Sequence, residues 1–461
     1  MCAGKQPNIV LIYADDLGYK DIGYQSGGKF KTPVLDRLAK AGMVFTDGYS
    51  NAANCQPARA CLLSGNYGAR HHVFAVQSTS RGQKNKMRLI PIPNKDGLAD
   101  DDETIADVLR GAGYATGHFG KWHLYDKKGK RGGGALPTQQ GFDVSYDSFG
   151  EGELPEGAKG NKTGPKSDPK GVFDLSKQAC DFMEKQKGAG KPFFVYLSHH
   201  APHGPHQARN STRAKIKDLY KACVYDLDAS VARVVDKVKE LGIENETLII
   251  FTSDNGGVGS QEPLRGNKGS YYEGGIREPM IAVWPDVIEA GSYCGVPVIQ
   301  VDLMPTFAEL AGAEKVKDVM DGESLVGLFK GGDELKRESI FWHMPGYLNK
   351  PVTRGRDEIF RTRPVSVIRK GKWKLHLFLE EWVLDGGAES VATNNAVELY
   401  NLESDLGEHK NLANEMPEVR DELLKDLNEW HVATDAPIPT ERNPQYDADA
   451  PVQEQKKKKK K

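Results

Sequence analysis

The residues of this sequence with the clearest chemical potential lie in the stretch NAANCQPARACLLSG, residues 51–65. Cys55 stands just ahead of Pro57, and proline suits the first turn of a helix, where its missing N–H leaves no intrahelical bond unmade. The spacing therefore predicts Cys55 at a helix N-terminus, where free N–H groups and the helix dipole favour an anion. Arg59 follows about one turn later with a planar guanidinium suited to an oxyanion. In isolation, C-x-P-x-R fits a buried structural cysteine equally well.

Two apolar runs end in pairs of oxygen-bearing side chains. NIVLIYA ends in Asp15 and Asp16, and TLIIFTS ends in Asp254 and Asn255. Unbroken apolar runs are typical of strands buried on both faces, as in a parallel sheet. Ligands of such sheets bind beyond the carboxyl ends of the strands, so we expect these side chains to meet there. Three carboxylates and one amide oxygen predict a Ca²⁺ or Mg²⁺ site, and the alternative is a pair of Asx turns.

Further polar residues follow two other apolar stretches. In GHFGKWH, an extended backbone would place Lys121 and His123 on one side, where they could hold an oxyanion and move a proton. The run FFVYLS ends in HHAPHGPH, which carries histidines at 199, 200, 203 and 206. No cysteine accompanies these histidines and no helix is predicted for them, and this argues against a zinc site. Structural roles are the alternative for both motifs.

Together, these motifs resemble those of the type I, formylglycine-dependent sulfatases of the alkaline-phosphatase-like superfamily. CQPARACLLSG is similar to the family signature C-x-P-S/A-R-x-x-L-x-[ST]-G, with Ala58 where many members have serine. GKWH, PHGP and the segment GNKGSYYEGGIREP at 266–279 are similar to further family motifs, and ELYNL at 398–402 extends the resemblance over nearly the whole chain. The resemblance implies a sulfuric ester hydrolase that acts on a sulfated carbohydrate.

The resemblance also implies roles for particular residues. Cys55 would be converted to formylglycine by a formylglycine-generating or radical-type maturation enzyme, and the aldehyde hydrate would attack sulfate-ester sulfur beside a divalent cation, Ca²⁺ in preference to Mg²⁺. The implied catalytic residues are Cys55, Arg59, Lys121, His123, His203 and Lys268. The implied metal ligands are Asp15, Asp16, Cys55, Asp254 and Asn255. Glu273 and Arg277 would form a supporting ion pair.

Other cationic residues are candidates for substrate contacts. His200 and His206 flank His203, with His199 as a further possibility. A C-terminal run contains His343, Arg354, Arg356, Arg361 and Arg363. Such a run is usually a solvated face, and its alternative role is to bind further anionic groups of a polymer. From this run we take His343, Arg354 and Arg356 as candidate substrate-binding residues.

The order of elements predicts an α/β fold. We expect a large, mostly parallel sheet between helices, followed by a smaller α+β domain with an antiparallel sheet. The expected divisions are a catalytic domain at 1–335, a smaller domain at 336–450 that completes the cleft, and a disordered lysine-rich tail at 451–461. The sequence pattern predicts helices at 32–42, 102–110, 219–242 and 416–434, strands at 114–124, 366–375 and 398–402, and a mobile loop at 150–171.

Composition limits the possible partners. The 461 residues include 62 Lys and Arg against 64 Asp and Glu, a net charge of −2, so no overall field attracts nucleic acid or membrane. Six scattered cysteines indicate mostly free thiols, and no apolar run is long enough to span a bilayer. We expect a periplasmic, secreted or lipid-anchored protein whose leader is missing, although a cytoplasmic start reads equally well. The competing functions are a phosphodiesterase or phosphonate hydrolase of the same superfamily and a non-catalytic sulfated-glycan-binding protein.

Overall fold

The computed structural model describes residues 6–124, 135–146, 166–314, 316–317 and 319–452. The N-terminus at 1–5, most of the polar loop expected at 150–171 and the lysine-rich end at 453–461 lie outside the described residues. The strands of the N-terminal part are β1 (Asn8–Asp15), β2 (Met43–Phe45), β3 (Gly48–Tyr49), β4 (Ala115–Gly120), β5 (Val144–Tyr146), β6 (Phe193–Pro202), β7 (Thr247–Ser253), β8 (Met280–Val283), β9 (Ser292–Cys294) and β10 (Val298–Ile299). Its helices are α1 (Gly23–Ser26), α2 (Pro33–Ala41), α3 (Cys55–Ser64), α4 (Gly68–His71), α5 (Ile105–Gly111), α6 (Val172–Gly188), α7 (Asn210–Lys215), α8 (Leu219–Glu240), α9 (Glu273–Ile276), α10 (Leu303–Ala311) and α11 (Val326–Phe329).

Eight of these strands form one sheet in the order β5-β4-β6-β1-β7-β8-β2-β9. The strands from β5 to β7 are parallel neighbours, β8 is antiparallel to β7 and β2, and β9 is parallel to β2. Side chains of β1 alternate between two cores: Ile9 and Leu11 pack with residues of α3, α5 and α10, whereas Val10 and Ile12 pack with residues of α2, α6 and α8. Burial on both faces explains the unbroken apolar runs and confirms the predicted helix-covered, mostly parallel sheet.

A separate antiparallel sheet follows in the C-terminal part. Its elements are β11 (Ser339–Met344), β12 (Leu348–Asn349), β13 (Phe360–Thr362), β14 (Val365–Lys370), β15 (Trp373–Phe378), α12 (Leu379–Leu384), β16 (Val397–Asn401) and α13 (Pro417–Thr434). The sheet has the order β11-β14-β15-β16, while β12 and β13 form a small hairpin of their own. The predicted antiparallel C-terminal sheet is thus confirmed, and the boundary after residue 335 stays a prediction. No helix of the described residues is long and apolar enough to cross a membrane.

Some predicted elements have different bounds in the structure. The strand predicted at 366–375 is two strands, because Gly371 adopts a positive φ of 54° and turns the chain between β14 and β15. The helix predicted from residue 102 begins instead at Ile105. Thr104 caps it, accepting from the backbone N–H of Asp107 at 3.3 Å, and the carboxylate of Asp107 accepts from the backbone N–H of Thr104 at 3.2 Å. This reciprocal capping fixes the first turn three residues later than predicted.

A buried charge cluster joins the two parts of the molecule. Lys374 of β15 donates to Glu273 of α9 at 2.9 Å and lies 3.0 Å from Glu408, and all three side chains are excluded from solvent. Glu408 also accepts from the backbone N–H of Glu273 at 2.7 Å, and the Arg277 guanidinium lies 3.0 Å from the Glu273 carboxylate. Because a charge buried without its partner is strongly destabilising, the cluster holds α9 and the C-terminal sheet in a fixed relation.

Candidate active site

Four neighbouring parallel strands bring the candidate residues to one edge of the large sheet. Asp15 ends β1, while Lys121, His203 and Asp254 each follow directly after β4, β6 and β7. Since the carboxyl ends of parallel strands lie on the same edge, residues far apart in the chain meet there. The remaining members follow the same strand ends, belong to α3 or lie in the loop before α9. They are Asp16, Cys55, Arg59, His123, Asn255 and Lys268.

Cys55 is the first residue of α3, a helix whose ten residues are all buried. Its Sγ lies 3.2 Å from Nζ of Lys268 and 3.5 Å from Oδ1 of Asp16. Burial, and next the nearby charge of Asp254, raises the pKa of the Cys55 thiol well above its usual range despite the neighbouring lysines. The residue therefore stands in a lysine-lined site as a neutral thiol, which is a poor nucleophile.

Two lysines balance the paired aspartates at the end of β1. Nζ of Lys121 donates to Oδ2 of Asp15 at 2.8 Å, and Nζ of Lys268 donates to Oδ1 of Asp16 at 2.5 Å. Burial alone would raise the pKa of both carboxyls. The nearby cations outweigh the effect of burial. The pKa of Asp15 is therefore well below its ordinary value, and the pKa of Asp16 is also lowered. Both carboxylates are therefore ionised when the lysines are in place.

Arg59 lies under the site with its guanidinium fully buried. Nε and one terminal nitrogen donate to Oδ2 of Asp254 at 3.2 and 2.8 Å. The other terminal nitrogen donates to the carbonyl of Lys121 at 3.1 Å and to the hydroxyl of Ser198. All three nitrogen atoms thus serve protein acceptors, and Arg59 positions Asp254 and the end of β4, while its predicted contact with the sulfate stays a prediction.

The two candidate proton-transfer histidines have different surroundings. His123 lies beyond β4, which ends at Gly120 instead of at residue 124, and His123 has a positive φ of 65° where an extended backbone was predicted. Burial, and next the charge of Lys121, lowers its pKa well below the usual range. Its Nδ1 has no hydrogen-bond partner in the described part of the chain. His123 is therefore a neutral imidazole with a free ring nitrogen.

His203 is the most accessible member of the site, with a side chain 42% exposed. Its Nε2 lies 3.6 Å from Oδ2 of Asp16, and its Nδ1 lies 2.7 Å from the carbonyl of Gly204. Nζ of Lys170, a buried lysine, donates to the carbonyl of His203 at 2.9 Å and fixes the backbone there. This arrangement places one imidazole nitrogen at the mouth of the site.

Several oxygen atoms of the site fit a hard divalent cation. Asp15 Oδ1 and Asn255 Oδ1 are buried and have no hydrogen-bond donor among the described residues. Ligand atoms of Asp15, Asp16, Cys55 and His203 all lie within 4.8 Å of one another. Orphaned buried carboxylate and amide oxygens are costly unless a cation or donor meets them, and such oxygens are the ligands Ca²⁺ and Mg²⁺ prefer. Asp254 is not part of this compact group, and its carboxylate accepts from Arg59 and from the backbone N–H of Asp16.

Two of the predicted substrate contacts have structural roles instead. The ring nitrogens of His343 lie 2.8 Å from the Ser366 hydroxyl and 3.2 Å from the Pro437 carbonyl in the buried C-terminal core. Arg356 is paired with Glu398 at 2.9 Å and with Glu381 at 3.3 Å. These partners occupy the ring nitrogens of His343 and the terminal nitrogens of Arg356. The prediction that these two residues bind substrate is therefore not supported by their contacts.

The remaining candidates are placed around the site or away from it. Arg354 donates to the carbonyls of Pro263 and Gly407 at 3.2 and 2.6 Å, so it joins two loops. Nδ1 of His206 lies 2.8 Å from the Pro202 carbonyl. The remaining histidines, His199 and His200, lie near the end of β6, and His199 is fully buried with its pKa lowered by burial to about 3.

Two residues that touch the site were not anticipated. Ser198 accepts from Arg59 and donates to the Lys121 carbonyl at 2.8 Å, and the signal for it was a hydroxyl at the end of an apolar run. Lys170 lies in the segment predicted to be a mobile loop, yet it is only 5% exposed and donates a hydrogen bond to the His203 carbonyl. Nothing in the local sequence distinguishes this lysine from the other lysines of the segment.

A mostly parallel sheet with acidic strand ends and a helix N-terminus at one edge, joined to an antiparallel C-terminal sheet, has the architecture of the alkaline-phosphatase-like hydrolases. The family model described as Sulfatase matches residues 7–313, and the one described as N-sulphoglucosamine sulphohydrolase, C-terminal, matches residues 267–433. The chain belongs to the sulfatase family and is a sulfatase enzyme, which confirms the resemblance found in the sequence.

Similar proteins cover nearly the full chain. Human arylsulfatase A is 32% identical over 476 aligned residues, covering 93% of this chain and 88% of its own length. A sulfatase of Formosa agariphila is 31% identical and covers 94% of this chain and 90% of its own length. The crystal structure of Ps i-CgsB superposes with a TM-score of 0.73 at 29% identity and covers 95% of each chain. The likeness therefore includes both the large sheet and the C-terminal part.

Proposed function

We propose that this sulfatase removes sulfate from a sulfated carbohydrate with a formylglycine made from Cys55 and a divalent cation. The observation that carries the proposal is the place of Cys55 at the buried start of α3, 3.2 Å from Nζ of Lys268 and 3.5 Å from Asp16. A thiol whose pKa is raised by burial is a poor nucleophile at neutral pH, so the position suits a modified side chain better than cysteine itself.

The hydrate of a formylglycine would carry two hydroxyl groups on one carbon. One hydroxyl would attack sulfur, with its proton passing to Asp254 and the ester S–O bond breaking, and the other, once deprotonated, would expel sulfate and restore the aldehyde. Asp15, Asp16 and Asn255, with residue 55 and Asp254 beside them, would hold Ca²⁺, which supplies positive charge next to the nucleophile and the sulfate oxygens. Lys121 and Lys268 add fixed positive charge on the same side of residue 55, where charge develops on the sulfate oxygens.

Two histidines complete the proton transfers. His203, exposed at the mouth of the site, would protonate the departing sugar oxygen with help from Lys268. His123 accepts the proton of the second hydroxyl, and its neutral state and unpaired Nδ1 support this role. Burial, together with the charges of Lys121, Arg59 and Lys268, lowers the pKa of His123 and so keeps its ring unprotonated before the transfer.

The relatives support a carbohydrate substrate. N-acetylgalactosamine-6-sulfatase of Mus musculus, named for a sugar, is 30% identical over 82% of this chain. The crystal structure of Ps i-CgsB in complex with k-i-k-neocarrahexaose superposes with a TM-score of 0.72 at 27% identity. In this proposal, a formylglycine-generating or radical-type maturation enzyme is the partner that modifies Cys55. The proposed compartment is the predicted one, outside the cytoplasm.

The test combines mass spectrometry with turnover. Protein produced with a maturation enzyme is digested, and the peptide that contains residue 55 is expected to be lighter than its cysteine form. The same protein is expected to release sulfate from sulfated oligosaccharides, and Cys55→Ala is expected to abolish this. Cys61→Ala is the matched control, because Cys61 is buried in the same helix but lies 3.4 Å from Nε2 of His71, outside the site.

The other functions considered predict different results. An unmodified Cys55 in active protein would contradict the formylglycine mechanism. Faster hydrolysis of phosphodiesters than of sulfate esters by matured protein would favour the phosphodiesterase alternative. Tight binding of sulfated oligosaccharides without any release of sulfate would favour a glycan-binding protein.

A further inference from the structure

Two arginines, Arg81 and Arg361, are held side by side by the hairpin of β12 and β13. Arg361 lies in β13, and its Nε donates to the carbonyl of Lys350 at 3.0 Å. Arg81 donates from a terminal nitrogen to Oδ1 of Asn349 at 3.4 Å, and its backbone N–H donates to the Tyr347 carbonyl at 3.1 Å. Adjacent residues of one turn therefore bind both side chains.

The same two arginines are tied to the active site. A terminal nitrogen of Arg361 donates to the backbone carbonyl of Lys268 at 2.6 Å. Gly269 has a φ of 87°, and a Cβ there would overlap Cδ of Arg361, so the arginine packs directly on the loop that carries Lys268. The backbone N–H of Gly269 in turn donates to the Ala53 carbonyl at 2.7 Å, two residues before Cys55.

Charged groups of the active site influence both guanidinium groups. Burial lowers the pKa of Arg81, and Cys55 is the acidic group that opposes this effect. Burial, and next the charge of Arg81, lowers the pKa of Arg361, while Asp16 acts in the opposite direction. The two arginines thus repel each other, and each is affected by one acidic group of the active site.

Neither arginine has a carboxylate partner in the part of the chain that the structure describes. Other arginines near the hairpin do: Arg356 is paired with Glu398, and Arg363 with Glu380 at 2.6 Å. Within the site itself, the cations Arg59, Lys121 and Lys268 face the carboxylates Asp15, Asp16 and Asp254. The charges of Arg81 and Arg361 are therefore additional. Two half-buried like charges without a counterion are costly, and an anionic ligand removes that cost.

We propose that Arg81 and Arg361 form a two-arginine subsite that binds a second anionic group of the substrate, next to the sulfate that is removed. A sulfate or a carboxylate fits equally, because the guanidinium groups offer paired N–H donors to either oxyanion. Arg361 keeps one terminal nitrogen free of protein acceptors in the described residues, and Arg81 keeps Nε and one terminal nitrogen free. The inference rests on the proposed carbohydrate substrate and narrows it to sugars with two nearby anionic groups.

The test compares substrates with one and with two anionic groups. Four are used: 4-nitrophenyl sulfate, a disaccharide with one sulfate, a disaccharide with two sulfates, and a disaccharide with one sulfate and one carboxylate. Arg81→Gln is expected to raise KM about tenfold for at least one of the two-anion substrates. For both one-anion substrates, KM is expected to stay within about twofold of the wild-type value. Arg361→Lys is expected to show the same preference, with an added loss of kcat because Lys268 shifts. Comparing the last two disaccharides distinguishes a sulfate subsite from a carboxylate subsite.

Arg88→Gln is the matched control. Arg88 is a half-buried arginine whose partner is Asp385 at 2.6 Å, and its removal is expected to leave the substrate preference unchanged. Equal effects of Arg81→Gln on one-anion and two-anion substrates, or no effect on any of them, would overturn the subsite.

A binding measurement separates the subsite from the proposed function. Calorimetry with the disulfated disaccharide is performed on full-length Cys55→Ala protein, with and without Arg81→Gln, in the presence of Ca²⁺. About tenfold weaker binding in the double variant supports the subsite even where no carbohydrate is turned over. Unchanged affinity overturns it even where the wild-type enzyme is an active carbohydrate sulfatase.

Discussion

Arg59 and Asp254 form an ion pair in which two guanidinium nitrogens donate to one carboxylate oxygen, with both side chains fully excluded from solvent. The remaining guanidinium nitrogen holds Ser198 and the Lys121 carbonyl. One side chain thus fixes the ends of β4, β6 and β7 relative to each other. The pair explains how a site assembled from separate strands keeps its geometry.

Arg59→Lys is expected to lower kcat by about 100-fold, because an ammonium group cannot reach Asp254, Ser198 and the Lys121 carbonyl at once. Steady-state hydrolysis of a sulfate ester measures this loss. Arg70→Lys is the control: Arg70 also contacts its partner Asp321 through two nitrogens, at 2.9 and 2.8 Å, but away from the site. A similar loss of kcat in both variants would contradict the positioning role of Arg59.

Calcium binding is expected to raise the melting temperature of the folded protein. A ligand present at 100 times its Kd stabilises by about 2.7 kcal/mol, and chelation removes this contribution. Asn255→Leu eliminates one orphaned oxygen and is expected to reduce the Ca²⁺-dependent shift in thermal unfolding experiments.

Asn94→Leu separates metal binding from general stability. Asn94 accepts from the backbone N–H groups of Phe74 and Ala75 at 2.8 and 3.0 Å, so its replacement is expected to lower Tm with and without Ca²⁺ while preserving the shift. Loss of the Ca²⁺ shift in this variant, or its retention in Asn255→Leu, would argue against the assigned ligand.

Gly120→Ala is expected to lower the free energy of unfolding by about 2–4 kcal/mol and to reduce activity. Gly120 has a φ of 113°, and a Cβ would overlap the Ser198 carbonyl that accepts from the Lys121 backbone N–H. Strain and displaced backbone therefore add together. Chemical denaturation measures the change.

Gly242→Ala isolates the conformational part of that effect. Gly242 has a φ of 62° and open space around the position of a Cβ, so the expected cost is only about 1 kcal/mol, with activity retained. An equal loss of unfolding free energy in the two variants would show that the overlap with the Ser198 carbonyl does not contribute to the effect of Gly120→Ala.

The stability of the C-terminal core is expected to fall as the pH drops below about 6.5. Burial lowers the pKa of His343 to about 3 and that of His431 to about 4, and both ring nitrogens nearest Ser366 lie 2.8 Å from its hydroxyl. The unfolded chain binds protons that the folded chain excludes, so stability present above pH 6.5 is lost on acidification, by roughly 1–2 kcal/mol for each histidine at pH 5.

His431→Gln tests this assignment. The amide keeps a donor for Ser366 but does not titrate, so the decline in unfolding free energy between pH 7 and pH 5 is expected to be shallower than in the wild type. Exposed His409→Gln is expected to leave the slope unchanged. An unaltered slope in His431→Gln would show that other groups cause the pH dependence.

Strand ends were the part of the site that could be predicted from the sequence. The runs before Asp15 and Asp254 are apolar because β1 and β7 are buried on both faces, and parallel strands bring such ends together. The course of the chain after β4 could not be predicted, because it depends on the positive φ of Gly120 and on the bond from the Lys121 backbone N–H to the Ser198 carbonyl of β6. The proximity of Arg81 and Arg361 was equally hidden, since it depends on a hairpin contact between distant segments.

The buried cluster of Glu273, Lys374 and Glu408 has a consequence for inherited or engineered variation. A substitution at Lys374, in the middle of the C-terminal sheet, removes the cation that lies between the buried carboxylates of Glu273 and Glu408, and Glu273 belongs to the short helix that follows the Lys268 loop. A substitution far from the catalytic residues would then reduce activity in the same way as a substitution in the active site. For the same reason, excising the C-terminal part to obtain a minimal catalytic fragment would yield an insoluble or inactive product.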